Sequence, residues 1–164
     1  MTRYLTADEL IYMNEQLPAK APIHRILQGK QRVRDMDLLE AAVGRPAQTV
    51  FGEDAYATAP EKAAALLHSI ARNHPFADGN KRTATIAAIF MLQVNGYDVN
   101  WQPEDALNQI LRIAEGKQTV DDFAAWLPVR TRAAALEPDA EMDMQTIAEI
   151  MAAHRWLLTE LEQR

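Results

Sequence analysis

The chain predicts an all-α domain, on three observations. Two Thr-x-x-Glu boxes, Thr6-Ala7-Asp8-Glu9 and Thr58-Ala59-Pro60-Glu61, each precede an apolar run with helical spacing. From Ala84 to Leu92 only Thr85 is polar, the pattern of a helix against which a whole domain packs. A single stretch, Gln48-Thr49-Val50-Phe51 before Gly52, has strand character, and it is too short to build a sheet.

Taken in order, the first box opens a helix over Ala7 to Leu17, with Leu5 and Leu10 at the two positions of a hydrophobic staple and Pro18 as the stop. Ala19 to Val33 has no sustained period and reads as loop or a weak helical turn. Asp35 or Asp37 caps a short helix over Leu38 to Val43, ended by Gly44 and Pro46. Ala47 to Ala57 is expected to form a hairpin-like flap. The second box, with proline in the first turn, opens a helix that puts Ala63, Leu66, Leu67, Ile70 and Ala71 on one buried face. His74 falls just beyond its end. The apolar run Thr83 to Val94 follows as the central helix, closed by Asn95-Gly96. Pro103 to about Ala114 and Thr119 or Asp121 to Trp126 are further helices, the first closed by Gly116 and the second stopped by Pro128. These make about six helices with short links.

From Glu137 the composition turns acidic and Met-rich, ahead of one long helix, Met144 to Leu161. Ile147, Ile150, Met151, His154, Leu157, Leu158 and Leu161 form its stripe, with Trp156 off it. The organisation read from this is a domain over residues 1–135 and an appended helix over 136–164, docking on its own domain or on a second copy as a homo-oligomer contact.

At 164 residues the chain can bury a real core. It has no cysteine, which excludes disulfides, thiolate metal sites and thiol nucleophiles and fits a cytoplasmic protein. No apolar run is long enough for a bilayer. A formal charge of −6 argues against nucleic-acid binding, which rests on neutralising phosphates. Any phosphate site is therefore local.

One stretch concentrates polar chemistry: His74-Pro75-Phe76-Ala77-Asp78-Gly79-Asn80-Lys81-Arg82. It reads structurally as a tight helix–helix turn, with Pro75 fixing the approach, Phe76 plugging the core and Asp78 and Asn80 capping. It also reads as a site. Amides around Gly79 at a helix start form an anion nest, and Lys81 and Arg82 add charge beside it. Asp78 facing a phosphate calls for a divalent cation between them, as Mg2+ is held. His74, titrating near neutrality, is placed to take a proton from an incoming hydroxyl. A P-loop does not fit, because His74 stands where its first glycine belongs. The scattered histidines, with no His-x-x-x-His pair, exclude a zinc site. His24, His68 and His154 read as surface or helix-face residues, and Met142, Met144 and Met151 as core filler.

The string His74 to Ala84 resembles the signature of the Fic/Doc superfamily, and Lys81 between Asn80 and Arg82 resembles its Doc (death-on-curing) branch. Tyr4-Leu5-Thr6, Arg34-Asp35, Leu38-Leu39-Glu40-Ala41 and Arg45-Pro46 resemble the same branch, so the similarity runs from about Tyr4 to Leu127. The resemblance implies an α-helical Fic fold holding a magnesium nucleotide, ATP or another nucleoside triphosphate. His74 would be the general base, Asp78 the Mg2+ ligand, and Gly79 and Asn80 the nest. Lys81 and Arg82 would contact phosphates, and the flap residues Gln48, Thr49, Val50 and Phe51 would align a target peptide. It further implies a toxin that passes the γ-phosphate to a protein hydroxyl, in elongation factor Tu for the known Doc target, and that is inhibited by a partner antitoxin. AMP-transferring Fic proteins carry glycine where this chain has Lys81, whereas Gly79 is a Fic-like feature where Doc has alanine. Kinase and AMP transferase therefore both stand, beside an inert Fic-fold interaction module. The segment after about Leu136 has no counterpart in a minimal Doc and lacks the pattern of built-in Fic inhibitory helices.

Overall fold

The computed structural model describes residues 1–18 and 26–164. His24 and the first part of the Ala19 to Val33 segment lie outside the described residues. Helix α1 (Ala7–Glu15) starts at a complete capping box, Thr6 Oγ1 accepting from the Glu9 amide at 3.2 Å and the Glu9 carboxylate accepting from the Thr6 amide at 2.7 Å. It ends at Glu15, short of Leu17. A 3₁₀ turn over Gly29–Arg32 leads to α2 (Met36–Gly44), which Asp35 caps by accepting from the Leu38 amide at 3.1 Å. The flap is a two-residue-per-strand hairpin, β1 (Thr49–Val50) against β2 (Glu53–Asp54), with Val50 opposite Glu53.

Helix α3 (Ala59–Asn73) buries the expected face and more, since Lys62, Ala64, Ala65 and Ser69 are buried too. Its capping box is half formed: Thr58 accepts from the Glu61 amide, but the Glu61 carboxylate accepts from Ala57 at 3.0 Å. The chain arriving from the flap turns the Ala57 amide toward it. Helix α4 (Asn80–Val94) is buried continuously from Arg82 to Val94. It packs on α1, on α3 and on the C-terminal helices, so its N-terminal end is fixed from several sides.

The sequence does not signal β3 (Tyr97–Val99) and β4 (Val129–Thr131), an antiparallel pair that ties the α4 exit to the segment after α6. Strands of three residues carry too little alternation to be read. Between them run α5 (Pro103–Ala114) and α6 (Val120–Trp126), the latter capped by Thr119 rather than Asp121.

The single C-terminal helix expected from Met144 to Leu161 is two helices, α7 (Ala140–Ala153) and α8 (Arg155–Glu162). Asp139 caps the first, accepting from Met142 at 3.1 Å, which moves the start upstream. His154, at φ −111° and ψ 26°, breaks the run where its ring meets Trp101 edge-on at 5.9 Å. His154 is therefore packed against an aromatic cluster rather than lying at the surface. The break lets Ile147 and Ile150 of α7 and Leu157, Leu158 and Leu161 of α8 all reach the same core. Met142 and Met144 are exposed instead of filling it. Arg3 locks this segment from the other end of the chain: its buried guanidinium bonds Asp143 at 2.7 Å, Glu9 at 2.9 Å and the Ala135 carbonyl at 3.0 Å. No helix among the described residues is long and apolar enough to cross a membrane.

Candidate functional site

The polar stretch joins α3 to α4. His74 is the C-cap of α3 in the left-handed region, φ 52° and ψ 59°, where helices favour glycine because a Cβ crowds the backbone. Gly79, at φ 77°, is the N-cap of α4. The tight space there explains a residue without a side chain: a Cβ would stand 3.0 Å from Leu17 Cδ1 and 3.2 Å from Asn14 Nδ2. Between these caps Phe76 is buried, and the Asn80 side chain grips its backbone, accepting from Phe76 N and donating to Phe76 O, both at 2.9 Å. Asn80 thus braces the loop with its side chain, leaving only its backbone for an anion nest.

The loop is also paired along its length to the segment before α2. The Arg34 and Asp35 amides donate to the Pro75 carbonyl, Ala77 N donates to the Arg32 carbonyl at 2.9 Å, and Val33 bridges Phe76. The Arg34 side chain caps the end of α3 through the His74 and Asn73 carbonyls at 2.7 and 2.8 Å. Beneath the loop, buried Asn14 accepts from Arg32 Nε at 2.6 Å and donates to the Asp78 carbonyl at 2.8 Å and to Thr83 Oγ1 at 3.0 Å. Arg32 donates besides to the Asn14 carbonyl at 2.8 Å. Sequence reasoning missed Asn14 and Arg32. The available signal was the spacing Leu10, Asn14, Leu17, which sets an amide on the buried face of α1.

His74, Asp78, Gly79, Asn80, Lys81 and Arg82 line one cavity of about 160 Å³. The leading N–H groups of a helix lack intrahelical partners and carry the positive end of its dipole, and the start of α4 forms this wall. Arg82 is buried beneath it, donating to the Pro18 carbonyl at 2.9 Å and lying 3.6 Å from the Asp78 carboxylate and 3.7 Å from that of Glu162. Burial pulls its guanidinium down from the ordinary range, and Glu162 and Asp78 offset this. Asp78 is not the lone acid expected, since α8 contributes Glu162, which the sequence pattern did not reveal. The imidazole of His74 is held below its usual value, first by partial desolvation within the loop and then by Lys81, Arg34 and Arg72. A shift in this direction favours the unprotonated ring that a proton acceptor needs.

Among the described residues no three His, Cys, Asp or Glu side chains converge to hold a metal by themselves. Asp78 and Glu162 are the carboxylates at this cavity, and one or two carboxylates suit a Mg2+ ion that takes its other ligands from phosphate oxygens and water, so the site fits only a metal that arrives with a nucleotide. The flap residues Gln48, Thr49, Val50 and Phe51 are exposed and do not line this cavity. Their hairpin is anchored to α3, where buried Lys62 pairs with Asp54 at 3.2 Å and bonds the Tyr56 carbonyl. Arg45 ties Tyr56 to His68 and Ser69. His68 is thus half-buried and bonded.

A family model, described as Fic/DOC family, matches residues 4–92, which span both the loop and its bracing segments. The chain belongs to the Fic/DOC family. It is 51% identical over 88 residues to a protein called Toxin Doc from Mycolicibacterium smegmatis (strain ATCC 700084 / mc(2)155), a match that covers 50% of this chain and 67% of that one. The mostly helical architecture with a small β flap agrees with the fold that the resemblance implied. Helices α5 to α8 lie beyond the matched residues, so Glu162 comes from outside them.

Proposed function

We propose that this Fic/DOC chain is a Doc-like toxin acting as a protein kinase, which transfers the γ-phosphate of a magnesium nucleotide to a Ser or Thr hydroxyl of a protein target. One observation carries the reading: a histidine shares a cavity with two carboxylates, two cations and the amino-terminal end of a buried helix. The similarity to Toxin Doc supports the toxin role and a partner antitoxin, and the resemblance to the Doc branch supports elongation factor Tu as target. Lys81, standing where AMP-transferring members have glycine, supports phosphate transfer over AMP transfer.

In this scheme the α4 amides, Lys81 and Arg82 bind and orient the phosphates. Asp78 would hold a Mg2+ ion that arrives with the nucleotide, and the ion would neutralise phosphate charge there. His74 takes the proton of the target hydroxyl as its oxygen forms the bond to the γ-phosphorus. The bond to the β-phosphate oxygen breaks and its electron pair leaves with the nucleoside diphosphate. The left-handed backbone at His74 keeps the ring at the cavity rather than against α3, a costly geometry of the kind found at functional sites.

The test is to incubate the chain with ATP, Mg2+ and elongation factor Tu, and to weigh the products intact. A gain of phosphate is expected. A gain of AMP would replace the kinase reading by AMP transfer, which Gly79 favours. Toxicity and transfer that are unchanged in His74→Ala would leave an inert interaction module. Asp78→Ala is expected to weaken magnesium-nucleotide binding more than His74→Ala does, since ground-state contacts set affinity and the base acts in the transition state. Equal affinities by calorimetry would contradict the assignment of Asp78.

A further inference from the structure

We infer that the groove between α1 and the α7–α8 pair takes the nucleoside half of the nucleotide whose phosphates the loop cavity holds. The inference rests on the phosphate reading above and adds a site to it. The loop cavity, at about 160 Å³, has room for phosphate groups and no more than that. The groove encloses about 520 Å³, within the usual small-ligand range of roughly 300–1,000 Å³. The two adjoin, with the ion-paired Arg82 and Glu162 in the wall of each. Arg82 also donates to Pro18 at the groove wall. A ligand filling both spaces would have an anionic end at Arg82 and a flat, mostly apolar body beyond it.

The groove walls suit such a body. Leu17 from α1 and Ile147 and Leu158 from the C-terminal helices, all largely buried, form its apolar floor, and part-exposed Met151 is a polarizable side chain of the sort that packs on rings. Gln16 and Thr159 stand at exposed positions on the same walls, able to bond the edge of a base or a ribose hydroxyl. Ala148 and Ala152, both exposed, leave the space open where larger residues would fill it. A helix from another protein would cover the apolar wall as well. It would not account for the opening of the groove onto a buried arginine and the start of α4, which favours a ligand with one anionic end.

The test uses the full chain and its Ala148→Trp and Ala152→Trp variants, titrated calorimetrically with ATP and with inorganic tripolyphosphate, each with Mg2+. Wild type is expected to bind ATP at least about tenfold more tightly than tripolyphosphate. Each tryptophan should erase most of that difference while leaving tripolyphosphate within about twofold of wild type, which also shows that the variant is folded. Unchanged ATP affinity in both variants would overturn the inference and point to a protein segment as the occupant. Equal binding of ATP and tripolyphosphate by wild type would overturn it as well, since the nucleoside then contributes nothing. Parallel loss of both ligands in both variants would deny that groove and loop act on separate halves. Failure of wild type to bind either ligand would remove the phosphate reading, and this inference with it.

Discussion

The motif loop and the flap share one unusual feature and differ in everything around it. Each turns the chain through a non-glycine residue at φ 52°, His74 in the loop and Phe51 at the hairpin tip. Around His74 the backbone is fastened from several directions, by Arg34 on its carbonyl, by the pairing of Pro75 and Ala77 with the segment before α2, and by Asn14 and Asn80 further along. Phe51 and Gly52, both at positive φ, make the two-residue turn of a hairpin whose anchors all lie at its base, and Phe51 is fully exposed. An aromatic is a poor choice for that turn position, where Asn or Gly is usual. The contrast assigns the two regions different physical tasks. Under the proposed function, the loop that would hold a base and phosphates is fastened throughout, whereas the flap that would meet a target protein is fastened at its base with its apolar tip outward.

Substitutions at the two outliers break the comparison most sharply. His74→Ala should lower transfer about 10²- to 10⁴-fold, the usual worth of a positioned base, with no loss of thermal stability. His74→Gly should do the same while raising stability by up to about 1 kcal/mol, through relief of the left-handed backbone; a lower melting temperature would refute the strain. Because desolvation and then the neighbouring cations lower the His74 pKa from its ordinary 6.5, the ring should remain a base to lower pH than a free imidazole. The acid limb of the rate profile should therefore lie below pH 6.5, and Arg34→Gln should move it upward by removing one cation. A limb above 6.5 in the unmodified protein would show that this ring is not the group titrating.

Asn14→Leu removes the amide beneath the loop and leaves Arg32 Nε without its partner. It should cost about 1–3 kcal/mol in chemical denaturation and impair nucleotide binding, whereas Thr49→Ala in the flap should stay within about 0.5 kcal/mol. Equal losses would erase the distinction between braced and compliant regions. Glu162→Gln takes one of two carboxylates from Arg82 and should strengthen tripolyphosphate binding by roughly three- to tenfold, since a phosphate no longer competes with that charge. Weaker binding in this variant would mean that Glu162 positions Arg82 productively. The smallest change is expected for Phe51→Ala, with stability within about 0.5 kcal/mol and a raised KM for the protein target alone. A fall in kcat with KM unchanged would place the flap in the chemistry instead.

Much of this was legible in local patterns. Thr6 and Thr58 announced α1 and α3, and the unbroken apolar run announced α4, because caps and periods are properties of adjacent residues. The continuous helix expected after Met144 failed at His154, where contact with Trp101, distant in sequence, overrides a strong helical period. The strands β3 and β4 escaped because each is stabilised by its partner across the chain. Lys62, an ordinary helical lysine in sequence, is buried under the flap only because Asp54 and Tyr56 come to it.

The sequence by itself determined the helical class, the family and the polar stretch from His74 to Arg82, since each is carried by neighbours in the chain. Tertiary structure alone decided what surrounds them. It set Asn14 and Arg32 beneath the loop and brought Glu162 beside Arg82. It also set the C-terminal helices as one wall of a groove that adjoins the loop cavity. Those contacts join residues far apart in the chain, and no local pattern encodes them, because they exist only once α1, α4 and α8 have packed into one core.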